Sequence, residues 1–175
     1  RQALDATARP LVVMTPKGLL RLRQASSTLT DLSDGGFQPV IPDPEAEPEA
    51  VRRLVLCSGK VYYDIVGHEA RAAAPAAAVG RLEQLYPFPV EAATRLVARY
   101  PRLETIVWAQ EEPQNMGPWR SIRHRLDDVA RAGSTVQSVA FVGRPWRASP
   151  SEGYPTAHQR EQDRIVREAL AATAA

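Results

Sequence analysis

The sequence predicts an α/β fold, a three-layer α/β/α arrangement with a mostly parallel sheet of about five strands and room for an antiparallel edge strand. Two observations carry this. Short runs rich in Val, Leu and Ile recur along the chain, and the middle three are near-continuous rather than alternating. Strands covered on both faces look like that. Amphipathic stretches separate the runs, so strand and helix alternate, which is how helices come to lie on both sides of one sheet.

Strands are expected at Leu11–Met14, Arg53–Cys57, Ala78–Leu82, Thr105–Ala109 and Val136–Val142. The last alternates more than the others and suits an edge. Val61 and Ile65 share one helical face. Val90, Ala93, Leu96, Val97 and Tyr100 form a second apolar stripe, and Ile122, Leu126 and Val129 a third. Ile165, Val166, Ala169 and Leu170 make the stripe of a final helix, with Thr156 and Gln159 spaced as a capping box at its start. The Ala70–Val79 stretch, interrupted by Pro75, reads as a helix end and a turn.

Residues Gln38–Ala50 are proline-rich and acidic, which excludes a central strand or a helix interior, and they are expected to be an extended linker. Residues 1–37 then hold one strand and a short helix, too little for a core, and read as the tail of another domain. Residues 51–175 form the main one. Because Arg1 begins partway through an element, the chain is expected to be a piece of a longer protein.

Composition narrows the function classes. A net charge of +2, with 44% hydrophobic and 24% charged residues, is ordinary for a globular protein and argues against nucleic acid as the main partner. Lysine occurs only at Lys17 and Lys60, so the basic residues are nearly all arginine. No run approaches the roughly 18 apolar residues of a membrane span. The single cysteine, Cys57, sits in an apolar run and reads as a buried thiol. A cytoplasmic, reducing location is expected.

Few segments suggest chemistry. Ser58-Gly59-Lys60, between a strand and a helix, would suit an anion, although an ordinary turn with a serine cap explains it as well. Gln110-Glu111-Glu112-Pro113 places two carboxylates at a strand's carboxyl end, where open α/β sheets bind ligands. Pairing with Arg81 or Arg120, or proximity to a helix start, explains them without catalysis. The Gly143–Pro150 loop sets two arginines beside Trp146, which suits a phosphate, a base or a neighbouring domain. His68, His124 and His158 lack metal-ligand spacing. Read residue by residue, this is an α/β domain without a complete active site.

Several segments together are familiar. Pro10–Arg21, Cys57–Asp64, Arg81–Pro89, Gln110–Pro113, Gly143–Pro145, Ala148–Pro150 and His158–Gln159 closely resemble, in this order, the carboxyl end of the 2-oxoglutarate dehydrogenase decarboxylating component. Trp146-Arg147 stand where small residues are commoner, and Met116–Trp119 varies a Gly-Ala-Trp form. The resemblance implies a transketolase-like C-terminal domain preceded by the end of a pyrimidine-binding domain. It implies a homodimer that decarboxylates 2-oxoglutarate with thiamine diphosphate and magnesium (Mg) bound outside these residues. It also implies succinyl transfer to the lipoyl-lysine of dihydrolipoyl succinyltransferase, in the tricarboxylic acid cycle with glycolysis as a further setting. No catalytic residue carries over, because Asp34-Gly35-Gly36 is not the family's diphosphate motif. Lys17 and Arg21 are expected near the substrate channel. Arg52, Arg53, His68 and Arg144 are candidates for the phosphates of an allosteric acetyl-coenzyme A (acetyl-CoA), a regulator of some actinobacterial relatives. The rival readings are a free-standing coenzyme A or nucleotide-binding module, and a decarboxylase for another 2-oxo acid.

Overall fold

A computed structural model describes residues 4–132 and 135–171, which divide between two compact units, 1–35 and 36–175. In the first unit, 3-10 turns at Lys17–Arg21 and Arg23–Ala25 precede helix α1, Leu29–Ser33. A capping box starts α1: the Asp31 amide donates to Thr28 Oγ1 at 3.2 Å, and the Thr28 amide donates to Asp31 Oδ2 at 2.9 Å. The strand expected at Leu11–Met14 is absent, and the run has no regular structure. A strand needs a neighbour to take its backbone hydrogen bonds, and no other strand is described in this unit.

The second unit holds β1 (Val40–Ile41), β2 (Arg53–Cys57), α2 (Val61–Val66), β3 (Ala77–Leu82), α3 (Val90–Ala98), β4 (Thr105–Pro113), α4 (Trp119–Ala132), β5 (Ser138–Arg144) and α5 (Pro155–Leu170). The sheet order is β1-β3-β2-β4-β5, parallel except for β1, which runs antiparallel to β3. Alternate strand residues feed two cores. Leu54, Leu56, Ile106 and Trp108 face α3 and α4, where Leu96, Ile122 and Leu126 meet them. Val55, Cys57, Val107 and Ala109 face the opposite way, onto Ile65 of α2 and Ile165 and Val166 of α5. The three-layer prediction therefore holds, and both helix layers bury the stripes read from the sequence, apart from Val90, which lies exposed at the start of α3.

Two local readings need correction. The 38–50 stretch is not a bare linker. Its prolines keep it out of the sheet interior, but β1 adds to the edge and Asp43 is 5% exposed. The Asp43 carboxylate accepts from Arg71 and from the Val79 amide, both at 2.8 Å, which staples the stretch to β3. Helix α5 has no capping box: Tyr154 is the N-cap and Pro155 opens the helix, a position whose missing amide hydrogen costs nothing. The edge expected for the last strand holds, since β5 is a parallel edge, and the antiparallel edge strand is β1.

Candidate functional site

The chain leaves central strand β2 toward β3 on one side, then returns to β4 on the other. The switch point therefore lies between β2 and β4, and the crevice beyond their carboxyl ends is where such sheets receive ligands. Lys60 follows β2 and Glu111 stands near the end of β4. Lys60 Nζ reaches Glu111 Oε1 at 3.1 Å and also pairs closely with Asp64. From α5, Gln162 Nε2 donates to Asp64 Oδ2 at 2.8 Å and to Glu111 Oε1 at 2.9 Å. Burial works against the lysine's charge, but the Asp64 hydrogen bond and the Glu111 carboxylate outweigh it and hold the ammonium above its ordinary pKa. Gln162 spends its amide on two carboxylates, and its buried Oε1 has no donor among the described residues.

A second network lies at the end of β5. Arg144 is 1% exposed and donates from Nε to both Glu152 carboxylate oxygens, at 3.2 and 3.0 Å, and from a terminal nitrogen to Oε2 at 2.7 Å. It also donates to the Glu111 carbonyl, and approaches His158 Nδ1 at 3.2 Å. Arg147 adds a second guanidinium to Glu152. The Arg144 hydrogen bonds, reinforced by those of Arg147, hold the Glu152 carboxyl down to about 2 despite its burial.

Between these networks, the Gln110 side chain organises the β4–α4 loop. Its Oε1 accepts from Trp108 Nε1 at 2.8 Å and from the Trp119 amide at 3.3 Å. Its Nε2 donates to the carbonyls of Glu112, Pro113 and Met116. Gly117, at φ +64°, passes so close that a Cβ there would lie 3.0 Å from Gln110 Nε2.

The candidates Arg52, Arg53, His68 and Arg144 do not converge. Lys17 and Arg21 lie exposed on a 3-10 turn of the first unit. Arg52 pairs with Glu104 at the amino ends of the strands, and Arg53 donates to the Ala169 and Glu168 carbonyls at the end of α5. His68 accepts from the Ala70 amide at Nδ1, which leaves Nε2 as the donor to Asp163 at 3.0 Å. Arg144 lies at the opposite end of the sheet from Arg52 and Arg53. Its neighbour His158 and Arg53's acceptor Ala169 are eleven residues apart on α5, about 16 Å along the axis.

Of the two carboxylates at the end of β4, Glu111 does pair, as the non-catalytic reading held, but with another partner than expected, while Glu112 is exposed. Glu111 takes Lys60, Arg81 meets Glu83, and Arg120 stacks near Trp146. Ser58 does not cap α2; Gly59 turns the chain at φ +72° and Lys60 is the N-cap. Asp64, Gln162 and Glu152 were not singled out from the sequence. Asp64 one turn after Lys60 was legible as an i, i+4 pair. Gln162 carries no local signal, since Asp64 and Glu111 lie 98 and 51 residues away, and Glu152, only eight residues from Arg144, meets it across an irregular loop with no helical or strand spacing to mark the pair.

These networks do not fit a diphosphate-bound magnesium ion. The two carboxylates facing the switch-point crevice are already engaged by one ammonium and one amide. Among the described residues no group of three or more His, Cys, Asp or Glu is placed to hold a metal. No described helix is long and apolar enough to cross a membrane.

Comparison with known proteins adds the following. The family model for the 2-oxoglutarate dehydrogenase C-terminal region matches residues 26–170. The chain is 46% identical over 174 residues to a protein of Bacillus subtilis, 44% over 172 to one of Cupriavidus necator, and 42% over 171 to one of Azotobacter vinelandii. Each bears the name 2-oxoglutarate dehydrogenase E1 component, and each match covers 97–98% of this chain. The chain spans 18% of the length of each of these relatives. Their names give no support to a glycolytic setting.

Proposed function

The chain belongs to the 2-oxoglutarate dehydrogenase C-terminal family, and from that premise we propose that it supports the decarboxylating component and is not itself its reactive centre. The observation that carries this reading is the switch-point crevice. The polar groups that would receive a ligand there, Lys60, Asp64, Glu111 and Gln162, hydrogen-bond to one another instead. Such a network fixes the ends of β2 and β4 and α5 in one arrangement, which suits a scaffold.

In this reading residues 1–37 complete a pyrimidine-binding domain and the later residues support a homodimer. Thiamine diphosphate and magnesium are held by other parts of a longer cytoplasmic protein, where 2-oxoglutarate loses carbon dioxide. The succinyl group then passes to dihydrolipoyl succinyltransferase, within the tricarboxylic acid cycle. Lys17 and Arg21 would face the dicarboxylate's route to that centre, and an unchanged KM in Lys17→Ala of the longer protein removes them. The acetyl-coenzyme A reading is the less favoured one, because Arg144 lies at the opposite end of the sheet from Arg52 and Arg53. Calorimetric titration of the longer protein with acetyl-coenzyme A tests it.

The support role is tested by assaying the purified chain with 2-oxoglutarate, thiamine diphosphate and magnesium, while measuring its mass by sedimentation. No carbon dioxide release and a dimeric mass are expected. Release of carbon dioxide by the chain alone refutes the reading.

A further inference from the structure

The two helix layers differ in how their charges are used. Helix α5 carries three arginines and three acids, and Arg164 and Arg167 are bound to Glu161, Glu168, Asp163 and Glu69. Helix α4 carries four arginines, Arg120, Arg123, Arg125 and Arg131, against Asp127 and Asp128, so this one helix has the net +2 of the whole chain. All four arginines are exposed. Arg131 pairs with Asp128, and Arg123 reaches Asp127 only at 4.0 Å. Arg120 and Arg125 have no carboxylate partner among the described residues.

Two of these arginines are held by aromatic rings. The Arg120 guanidinium lies 5.7 Å from the centre of the Trp146 ring, and that of Arg123 lies 5.8 Å from Trp119. Trp146 is 65% exposed, so a large apolar ring and its stacked cation stand together at the surface. A guanidinium stacked on an indole keeps its in-plane N–H donors free and loses less freedom when a carboxylate docks in their fork. Arg120 and Arg123 are three residues apart on one helix, which puts the two forks on neighbouring turns of the same face. Tryptophan and arginine are also the residue types that dominate interface energetics.

We propose that the outer face of α4, with Trp146 at its edge, is a docking surface for an acidic face of a partner protein whose carboxylates engage the stacked forks of Arg120 and Arg123. Charge complementarity selects this occupant. Asp127 and Asp128 interrupt the basic stripe, which disfavours the continuous negative charge of a nucleic-acid backbone but tolerates separate carboxylates set opposite separate arginines. Docking here is additional to the support role and is tested separately from it.

The test uses the full chain and a dye-labelled helical peptide bearing glutamates at i, i+3 and i, i+4 spacing, followed by fluorescence anisotropy at low salt. The same peptide with glutamine in place of glutamate and a 20-base-pair DNA duplex serve as competing probes. The acidic peptide should bind and quench Trp146. Arg120→Glu with Arg123→Glu should weaken binding at least tenfold, while Arg160→Glu on α5 should change it less than twofold. Lysine at both positions should leave most of the loss in place, since an ammonium lacks the fork. Equal loss in Arg160→Glu, equal binding of the glutamine peptide, or tighter binding of DNA would each overturn the assignment. So would full recovery by the lysine pair. Unchanged circular dichroism and melting temperature in the variants, all altered at exposed positions, keep a folding defect from imitating the expected result.

Discussion

Replacing Glu152 by alanine strands Arg144. That guanidinium is 1% exposed and places three of its hydrogen bonds on the Glu152 carboxylate, while Arg147 loses the same acceptor. Breaking a buried pair from one side costs about 3–5 kcal/mol, because the remaining charge is left without compensation. The lower figure applies here, since Arg144 keeps the Glu111 carbonyl and the contact with His158. For a unit of roughly 140 residues, a loss of about 3 kcal/mol lowers the melting temperature by about 10 °C. Thermal unfolding followed by circular dichroism at pH 7 measures it. The same pair sets an acid dependence. The Arg144 hydrogen bonds depress the Glu152 carboxyl from 4.5 to about 2, so its contribution is complete above pH 4.5 and disappears as the pH falls toward 2. Glu152→Ala should therefore differ most from the parent near neutrality, and the two melting curves should converge between pH 4.5 and 2. A variant that melts within 1 °C of the parent at pH 7 would show that water already solvates Arg144, and a gap that persists unchanged to pH 2 would show that the loss does not come from the ionised Glu152 carboxylate.

Gln110→Ala removes the acceptor of Trp108 Nε1 and the donor to three loop carbonyls, so the chain should lose about 2–3 kcal/mol and its tryptophan emission should shift; unchanged emission and stability in urea titration would contradict that organising role. Asp43→Ala leaves the Val79 amide without its acceptor and Arg71 with only the Ala74 and Ala77 carbonyls, so amides in 39–50 and on β3 should exchange faster in deuterium labelling while β4 and β5 keep their protection; uniform exchange across the sheet would mean that Asp43 is not a local staple. Burial, with some help from Glu83, pushes the Cys57 thiol well above its ordinary pKa, so native chain at pH 8 should react with a thiol reagent at least about 100-fold more slowly than unfolded chain; comparable rates would place the sulfur at the surface.

What the sequence disclosed depended on how far a signal reaches along the chain. The apolar runs at 53–57, 78–82 and 105–109 announced strands buried on both faces, and the stripes at Ile122, Leu126, Val129 and Ile165, Val166, Ala169 announced the helices that cover them. Each signal lies within one element. The misses are places where an element is defined by a distant partner. Leu11–Met14 has the composition of a strand but no neighbour in its own unit, and composition without a ladder leaves an irregular segment. Val40–Ile41 has the opposite character: two residues among prolines read as a linker, yet Leu82 and Arg81 lie opposite them, and Asp43 reaches the Val79 amide.

The same distinction governs the candidate site. Lys60 and Asp64 share a helical turn and were legible as a pair, but Glu111 and Gln162, which join them to β4 and α5, lie 51 residues apart in the chain. Arg144 was visible as an arginine beside a tryptophan, which suggested a surface ligand. Its near-complete burial follows from the return of the 145–154 loop, which delivers Glu152 and then His158 from the start of α5. An arginine available to a ligand and an arginine locked in place have the same letter and similar neighbours in sequence. What separates them is whether the chain brings back its own carboxylate. For Arg144 it does, whereas for Arg120, whose neighbour Trp146 supplies a ring but no charge, the fold leaves that place open.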